Sequence, residues 1–365
     1  MCSVRAASVA LVVALLAGGA RAEPFATVLA LDFKVAEFRG PGSQEAKIVP
    51  TTDALRRHKL GNGPFVVVWG GGGAAAIYLS GAELRTQPFA PPSGEGPPLG
   101  EAPRDALPGS RLQTAGPLTV HLAGPTNAYV HGALGTGGEA RELVLSERQP
   151  VAMGGGVQKV PVERTRVEAG ADAVFEDREP RLADLDADGG TEVLVVKSYQ
   201  AKGSALAVVA KRDGAWRVVA ETPAIGQPQR WLNPAAVAAF QGDGKPAIAV
   251  VKTPHVDGVL QLWAYDGGKL ALRHEASGYT NHVFGSPAQE LAAAIDVDGD
   301  GVPELAIPTL DRGSIALLSL KGGIKELARI ALPAKAAMGV AALGSGKTAH
   351  ILVGLEDGRV VDIRP

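Results

Sequence analysis

A repeat in the second half of the chain limits the fold more strongly than any other feature of the sequence. Four segments align on a short polar turn, and these turns recur every 45–57 residues, around Asp188, Asp243, Asp300 and Ser345. Short apolar runs bounded by Gly and Pro flank the turns, which is typical of β-strands. Tandem units of this length indicate that one supersecondary unit is repeated along the chain.

Each unit contains four predicted strands, so the sequence predicts an all-β chain that forms a single β-propeller of four-stranded blades. Alanine dominates the predicted innermost strands, Ala235–Ala239 and Leu291–Ile295. Small side chains are expected there because the strands crowd together near the axis of a propeller. Gly 47 and Pro 26 together make about a fifth of the 365 residues, which agrees with many turns between short strands.

The first half of the chain matches the same template less closely. One unit is expected at 53–89 and another within 116–178, where His131–Gly135 and Glu142–Leu145 are the expected first strands. With these two units the count gives six blades, and it also allows seven.

The last unit lacks an outer strand, because the chain ends soon after its third strand, Asp357–Ile363. The segment Phe25–Leu31 can supply the missing strand, and this pairing would close the ring and remove its open edges. We therefore expect one propeller domain over 23–365, with the best-defined repeats at 180–365. The Pro/Gly-rich segment at about 89–110 is expected to form a surface loop.

Residues 1–22 have the pattern of a signal peptide. Arg5 precedes an apolar run that ends near Leu16, and Ala20-Arg21-Ala22 provides a small-x-small cleavage site. The alternative is a retained anchor, but the run is shorter than the roughly 20 residues that span a bilayer. We expect cleavage after Ala22 and a periplasmic or secreted protein. The one cysteine, Cys2, would be lost with the leader.

The charge balance and the lengths of the apolar runs argue against a nucleic-acid partner and against a membrane span. Lys+Arg 36 against Asp+Glu 38 gives a net charge of −2, without a long run of one sign, so we expect no nucleic-acid partner. After residue 22, no segment approaches 18 uninterrupted apolar residues, so we expect no membrane span in the mature chain.

Two turns of the repeat carry carboxylates at positions 1, 3, 5 and 9 and Gly at position 6. Alternate side chains of such a turn can gather the six to eight oxygen ligands of Ca²⁺, and the carbonyl of position 7 can join them. Strands flank these loops and the last acid stands at position 9, so they are not EF-hands. We expect two structural Ca²⁺ sites, the alternative being solvated Asp/Gly turns. The predicted ligands are Asp184, Asp186, Asp188, Gly190 and Glu192, and Asp296, Asp298, Asp300, Val302 and Glu304.

These D-x-D-x-D-G-x-x-E loops between strands resemble the FG-GAP/VCBS repeats of integrin-α-like β-propellers. The resemblance covers residues 180–365 well and 24–178 only through the strand template. It implies a propeller with structural calcium in its inter-strand loops, and it implies no particular reaction. The FG-GAP dipeptides themselves are absent from the sequence.

Turns on the face opposite the carboxylate loops collect aromatic, amide, imidazole and guanidinium groups, which suggests a ligand site. The alternatives are that Trp231 fills a gap between blades, that the histidines are hydrogen-bonded, and that the asparagines cap their own turns. The candidate residues are Tyr199, Arg230, Trp231, Asn233, His255, Tyr279, Asn281 and His282.

The sequence favours a non-catalytic module that binds an unknown protein or carbohydrate ligand. It contains no nucleophile elbow, H-E-x-x-H helix or P-loop. The alternative is a glycan-active hydrolase or lyase that uses His255, His282 and Tyr279. A third interpretation is a purely structural ring of blades.

Overall fold

The computed structural model describes residues 25–48, 53–56, 58, 60, 63–90, 103–151 and 159–365. The regular structure is nearly all β. Helices α1 (Gln44–Ile48) and α2 (Asp53–Arg56) are short, and a 3-10 turn occupies Gly346–Thr348. The predicted signal peptide and residues 91–102 of the predicted Pro/Gly-rich loop lie outside the described residues.

Twenty-five strands follow one another along the described chain. The first five are β1 (Phe25–Val28), β2 (Glu37–Arg39), β3 (Phe65–Gly70), β4 (Gly73–Ser80) and β5 (Glu83–Phe89). The next five are β6 (Gln113–Ala115), β7 (Leu118–Thr126), β8 (Glu139–Arg148), β9 (Val162–Glu168) and β10 (Ala173–Phe175).

The region of the clear repeat supplies the remaining strands. They are β11 (Arg181–Ala183), β12 (Glu192–Tyr199), β13 (Gly203–Arg212), β14 (Ala215–Glu221), β15 (Leu232–Ala238), β16 (Ala247–Lys252), β17 (Val259–Asp266), β18 (Lys269–Ser277), β19 (Ala293–Ile295), β20 (Glu304–Pro308), β21 (Ser314–Ser319), β22 (Lys325–Ala331), β23 (Ala336–Leu343), β24 (His350–Leu355) and β25 (Val360–Arg364).

The strands form antiparallel sheets in chain order. β2–β5, β15–β18 and β19–β22 each form a four-stranded sheet, and β23, β24, β25 and β1 form another. A nine-stranded sheet contains two further runs of four, β6–β9 and β11–β14, with β10 paired to β8 and β12 between them. Four-stranded up-and-down sheets in tandem are the units from which β-propellers are built.

Apolar cores lie between successive sheets rather than inside one central sheet. Leu291 and Ile295 of the β19–β22 region pack with Val340 and Ile351 of the next sheet, for example. Other clusters join β11–β14 to β15–β18, and β15–β18 to β19–β22. The sheets of β11–β25 are therefore buried on both faces by neighbouring sheets, which explains the unbroken apolar runs of their middle strands. In β2–β5, one face packs on β23–β25 and the other on α1 and α2.

The N-terminal strand completes the last sheet, as the repeat predicted. β1 pairs antiparallel with β25 in a register that sets Phe25 opposite Arg364 and Val28 opposite Val361. Beyond the strand, the Leu29 N–H donates to the Val360 carbonyl oxygen at 2.9 Å. This pairing ties the two ends of the described chain together.

Ionic contacts link β2–β5 to β6–β9. Arg111, just before β6, pairs with Glu45 of α1 and lies 3.4 Å from Glu37 of β2. The two groups of strands are thus linked through charged side chains of β2, of α1 and of the segment before β6.

One expected strand is wrong. Residues 131–135 form a loop between β7 and β8, because Gly132 and Gly135 adopt φ of 75° and 81°, values that a strand does not contain. The strands expected within 53–89 are present as β3–β5. Within the described residues, no helix has the length and apolar character that crossing a bilayer requires.

Candidate functional site

The two acidic loops occupy equivalent places, each joining the first strand of a sheet to the second. Residues 184–192 connect β11 to β12, and residues 296–304 connect β19 to β20. Carboxylate oxygens of Asp184, Asp186 and Glu192 lie within 4.8 Å of one another. The second loop brings three carboxylates equally close, those of Asp296, Asp298 and Asp300.

Backbone N–H groups hold the acids of both loops in the same pattern. Position 1 accepts from the loop backbone, as when the Gly301 N–H donates to Asp296 at 3.0 Å. Position 9 reaches back to position 2: the Leu185 N–H donates to Glu192 at 2.9 Å, and the corresponding bond to Glu304 measures 3.0 Å. The position-6 glycines of the two loops have φ of 85° and 84°, so only glycine fits there without strain.

The electrostatics of the loops show an excess of negative charge. Burial, together with the neighbouring aspartates, raises the pKa of Glu192 and of Glu304 above the usual value of a glutamate. In the first loop, Oδ1 of Asp186 is buried and accepts no hydrogen bond. An acceptor in that state is costly unless a cation or a donor meets it.

The two loops differ in the positive charge beside them. Nη2 of Arg212 lies 3.1 Å from Asp186 and 3.6 Å from Glu192, so the first loop already has a guanidinium against its acids. In the second loop, Nζ of Lys321 lies 3.8 Å from Asp300, on a more exposed side chain. A cation in the first loop would therefore meet more repulsion.

Three of the eight predicted ligand-face residues come together on the opposite face. Trp231 stacks on His255 with an interplanar angle of 5° and contacts the edge of His282. Trp231 is only 1 % exposed, and its indole N–H donates to the Glu176 carbonyl at 3.0 Å. It packs in the apolar core between β11–β14 and β15–β18.

The two histidines form a hydrogen-bonded relay. Nε2 of His282 lies 2.9 Å from the Ser286 carbonyl oxygen, which can only accept, so this nitrogen carries the proton. Nδ1 of His282 then accepts from Nε2 of His255 at 2.8 Å. Burial lowers the pKa of His255 to about 4 and that of His282 to about 3, so both rings are neutral near pH 7.

Asn233 and Asn281 are buried and bind each other's main chain. The Asn233 amide donates to the carbonyls of Asn281 and Gln289, and the Asn281 amide donates to those of Asn233 and Pro234. Their side chains join β15 to the segment between β18 and β19 and offer no exposed surface.

The other three predicted residues lie apart from this cluster. The Tyr199 hydroxyl donates to Glu221 at 2.5 Å, and the Tyr279 hydroxyl donates to Glu326 at 3.3 Å. Arg230 is half-buried, and its guanidinium donates to the carbonyl of Gln229 at 3.3 Å. The structure therefore divides the predicted set into a buried aromatic cluster, a buried amide pair and three residues that lie apart, of which Tyr279 is also buried.

Comparison with known proteins adds little. No family model matches the chain, and no curated protein matches it. Among solved structures, the chain is similar to one described as a crystal structure of BBS1N in complex with ARL6DN, soaked with mercury, at 12 % identity and a TM-score of 0.38. The alignment covers 83 % of this chain and 75 % of that one. The fold described above rests on the strand order itself.

The sequence did not single out the exposed residues that lie above the aromatic cluster. The ring of Phe284 is 57 % exposed and contacts both His255 and His131 edge-on. Val130 is 71 % exposed and Val256 is 52 % exposed, each next to one of these histidines in the chain. We call Val130, His131, His255, Val256 and Phe284 the Phe284 patch.

Proposed function

We propose that this chain is an exported, calcium-stabilised β-propeller that binds a protein partner through the Phe284 patch, without catalysis. The observation that carries the proposal is the exposure of large apolar side chains on a rigid base. Apolar groups gathered on one face of a soluble protein are typical of an interaction site.

The tandem sheets support a six-bladed ring. The four separate four-stranded sheets and the two runs of the nine-stranded sheet account for six blades. β2 lies against β23, β19 lies against both β15 and β23, and β6 lies against β11, so most successive innermost strands are neighbours. With β1 as the outer strand of the last blade, the ring closes between the two ends of the chain.

The donors of the two acidic loops fit Ca²⁺. All are oxygens on short side chains, which hard divalent cations prefer. The buried, unpartnered Oδ1 of Asp186 favours a cation at this loop, since a solvated turn would leave its carboxylates in water. Calcium would act structurally, by offsetting the repulsion within each loop, and this agrees with the resemblance to FG-GAP/VCBS repeats.

The Phe284 patch is fixed in place from below. Trp231, buried between two sheets, supports the ring of His255, and His282 holds that ring by a hydrogen bond. On the other side, Nδ1 of His131 lies 2.7 Å from the buried carboxylate of Glu176. A rigid surface of this kind binds with a small loss of conformational entropy.

The chemistry of the patch favours a protein partner. Val130 and Val256, which adjoin in the chain the two histidines that Phe284 contacts, offer aliphatic surface for an apolar anchor. Nδ1 of His255 is neither protonated nor hydrogen-bonded within the described chain, so it can accept a hydrogen bond from the partner. The catalytic alternative has less support, because His282 is buried and its two ring nitrogens are both engaged.

Replacing Phe284 with glutamate is expected to lower the affinity for the partner at least tenfold, because binding would then desolvate a charge at the centre of the contact. The mature protein serves as bait for envelope proteins of its own cell, in 2 mM Ca²⁺. Leu272→Glu, at another exposed apolar position on β18, is the matched control.

The proposal predicts a protein that the wild type and Leu272→Glu capture and Phe284→Glu does not. Capture of the same proteins by all three would contradict it. A glycan array probed with the same three proteins tests the other ligand class. A glycan that the wild type and Leu272→Glu bind and Phe284→Glu does not would show that the ligand is a carbohydrate rather than a protein.

A further inference from the structure

A cavity of about 510 Å³ opens between the innermost strands, away from both the acidic loops and the Phe284 patch. Residues of β6, β11, β15, β19 and β23 line it, together with the loop after β2. Seven of its 21 lining residues are alanine, including Ala115, Ala235, Ala293 and Ala341, and their small side chains help to leave the space open. The volume is within the range of small-molecule sites.

A buried guanidinium organises one side of this cavity. Arg39 is almost fully buried, and its three nitrogens meet three different carboxylates. Nε lies 3.3 Å from Glu45, Nη2 contacts Glu179, and Nη1 lies 3.4 Å from Glu290. The three glutamates come from α1, from the segment before β11 and from the segment before β19, and Glu179 and Glu290 line the cavity.

The cluster contains more acids than bases. Arg39 serves three glutamates, and Arg111, the other guanidinium that contacts them, is shared between Glu45 and Glu37. With Glu37 included, four carboxylates face two guanidinium groups, so the cluster carries an excess of negative charge that a further cation can offset.

Glu290 is the member that opens into the cavity. Its side chain is 27 % exposed, whereas Glu45 and Glu179 are buried. Its Oε2 accepts from the Gly40 N–H at 3.1 Å, and its Oε1 has no hydrogen bond in the described chain. Burial and the charges of Glu179 and Glu45 raise the pKa of Glu290 to about 7, although Arg39 acts in the opposite direction.

The other charged groups that line the cavity do not neutralise Glu290. Arg181 is bound by both oxygens of Asp177 and by Asn233. Glu179 has the same sign as Glu290. Lys47 is exposed on α1 and makes no ion pair in the described chain.

We propose that this cavity binds a small organic cation, a primary ammonium or a guanidinium group, with Glu290 as its counter-charge. The innermost strands each stand at the end of a four-strand run, so their free edges add carbonyl acceptors for the N–H donors of such a group. A Ca²⁺ ion does not fit, because it requires six to eight oxygens and only one carboxylate opens here. The site is independent of the calcium loops and of the Phe284 patch.

The probe is n-butylammonium, with n-butanol as the neutral analogue of the same chain length. Binding is followed through the amide NMR signals of Ala293 and Ala341 in the full mature protein. We expect saturable shifts with n-butylammonium at millimolar concentration and none with n-butanol. Below pH 7, the affinity should increase by up to about tenfold for each unit by which the pH is raised, because Glu290 then loses its proton and gains its charge.

Glu290→Gln is expected to weaken n-butylammonium binding at least tenfold and to remove its pH dependence. Glu356→Gln, the same change at an exposed glutamate, should leave both unchanged. If Glu290→Gln proves unfolded, Glu290→Asp serves as the second variant. It keeps the charge and is expected to retain binding. Equal shifts with n-butanol, equal affinity in folded Glu290→Gln, or no shift in the folded wild type would each overturn the proposal.

Discussion

Deleting residues 23–31 from the mature chain is expected to lower the free energy of unfolding by roughly 5 kcal/mol, a large part of the stability of a typical domain. β25 would keep β24 but lose β1, its outer antiparallel partner, and Leu29 and Leu31 would leave the cluster that they share with Val360. The exposed edge of β25 should also promote aggregation. Urea unfolding followed by circular dichroism measures the loss.

The control for this deletion is Phe25→Ala. Phe25 lies in the same strand, but its side chain is more than half exposed, so the change should cost less than about 1 kcal/mol. A deletion variant as stable as Phe25→Ala would mean that β1 contributes little to the closure of the last sheet.

Removing calcium is expected to have the second largest effect. At 100 times the dissociation constant, one bound ion stabilises the folded state by about 2.7 kcal/mol, so two ions would contribute about 5 kcal/mol. For a chain of this size we expect EDTA to lower the melting temperature by roughly 10 °C. Mg²⁺ should not replace Ca²⁺, because it requires a tighter octahedral shell.

Asparagine variants of the acidic loops test which loop is responsible. Asp296→Asn should remove more of the calcium response than Asp184→Asn, because Arg212 already supplies positive charge to the first loop. Asp243→Asn is the matched control, since Asp243 is the one carboxylate in the equivalent turn between β15 and β16. Melting curves that EDTA leaves unchanged in the wild type would contradict the calcium proposal.

The sequence was most informative where the repeat imposes its own geometry. Alanine in β15 and β19 marked the crowded innermost strands, and the missing outer strand of the last unit pointed to β1. The two acidic loops were recognisable because alternate carboxylates and a left-handed glycine leave few other conformations. These features depend on spacing along the chain, which a sequence displays directly.

Features that depend on packing between distant segments were not predictable. Trp231 and Phe284 are both aromatic residues in turns, yet one is buried between sheets and the other is exposed. Arg39 of β2 and Glu290 of the segment before β19 are separated by most of the chain and meet only in the folded structure. Helices α1 and α2 are too short to show a helical period.

The central claim is that the tandem sheets form one ring closed by the pairing of β1 with β25, and a disulfide tests it most directly. The expected mature chain lacks cysteine, so Ala26→Cys with Ile363→Cys introduces the one available pair, at positions that lie opposite each other in the register. Thr27→Cys with Ile363→Cys is the control, because neighbouring residues of a strand point to opposite faces. We predict that the first pair oxidises within the native monomer and stabilises it by about 5 kcal/mol, and that the control pair does not. A native monomer in which the first pair stays reduced, or reacts no better than the control, would contradict the closed ring.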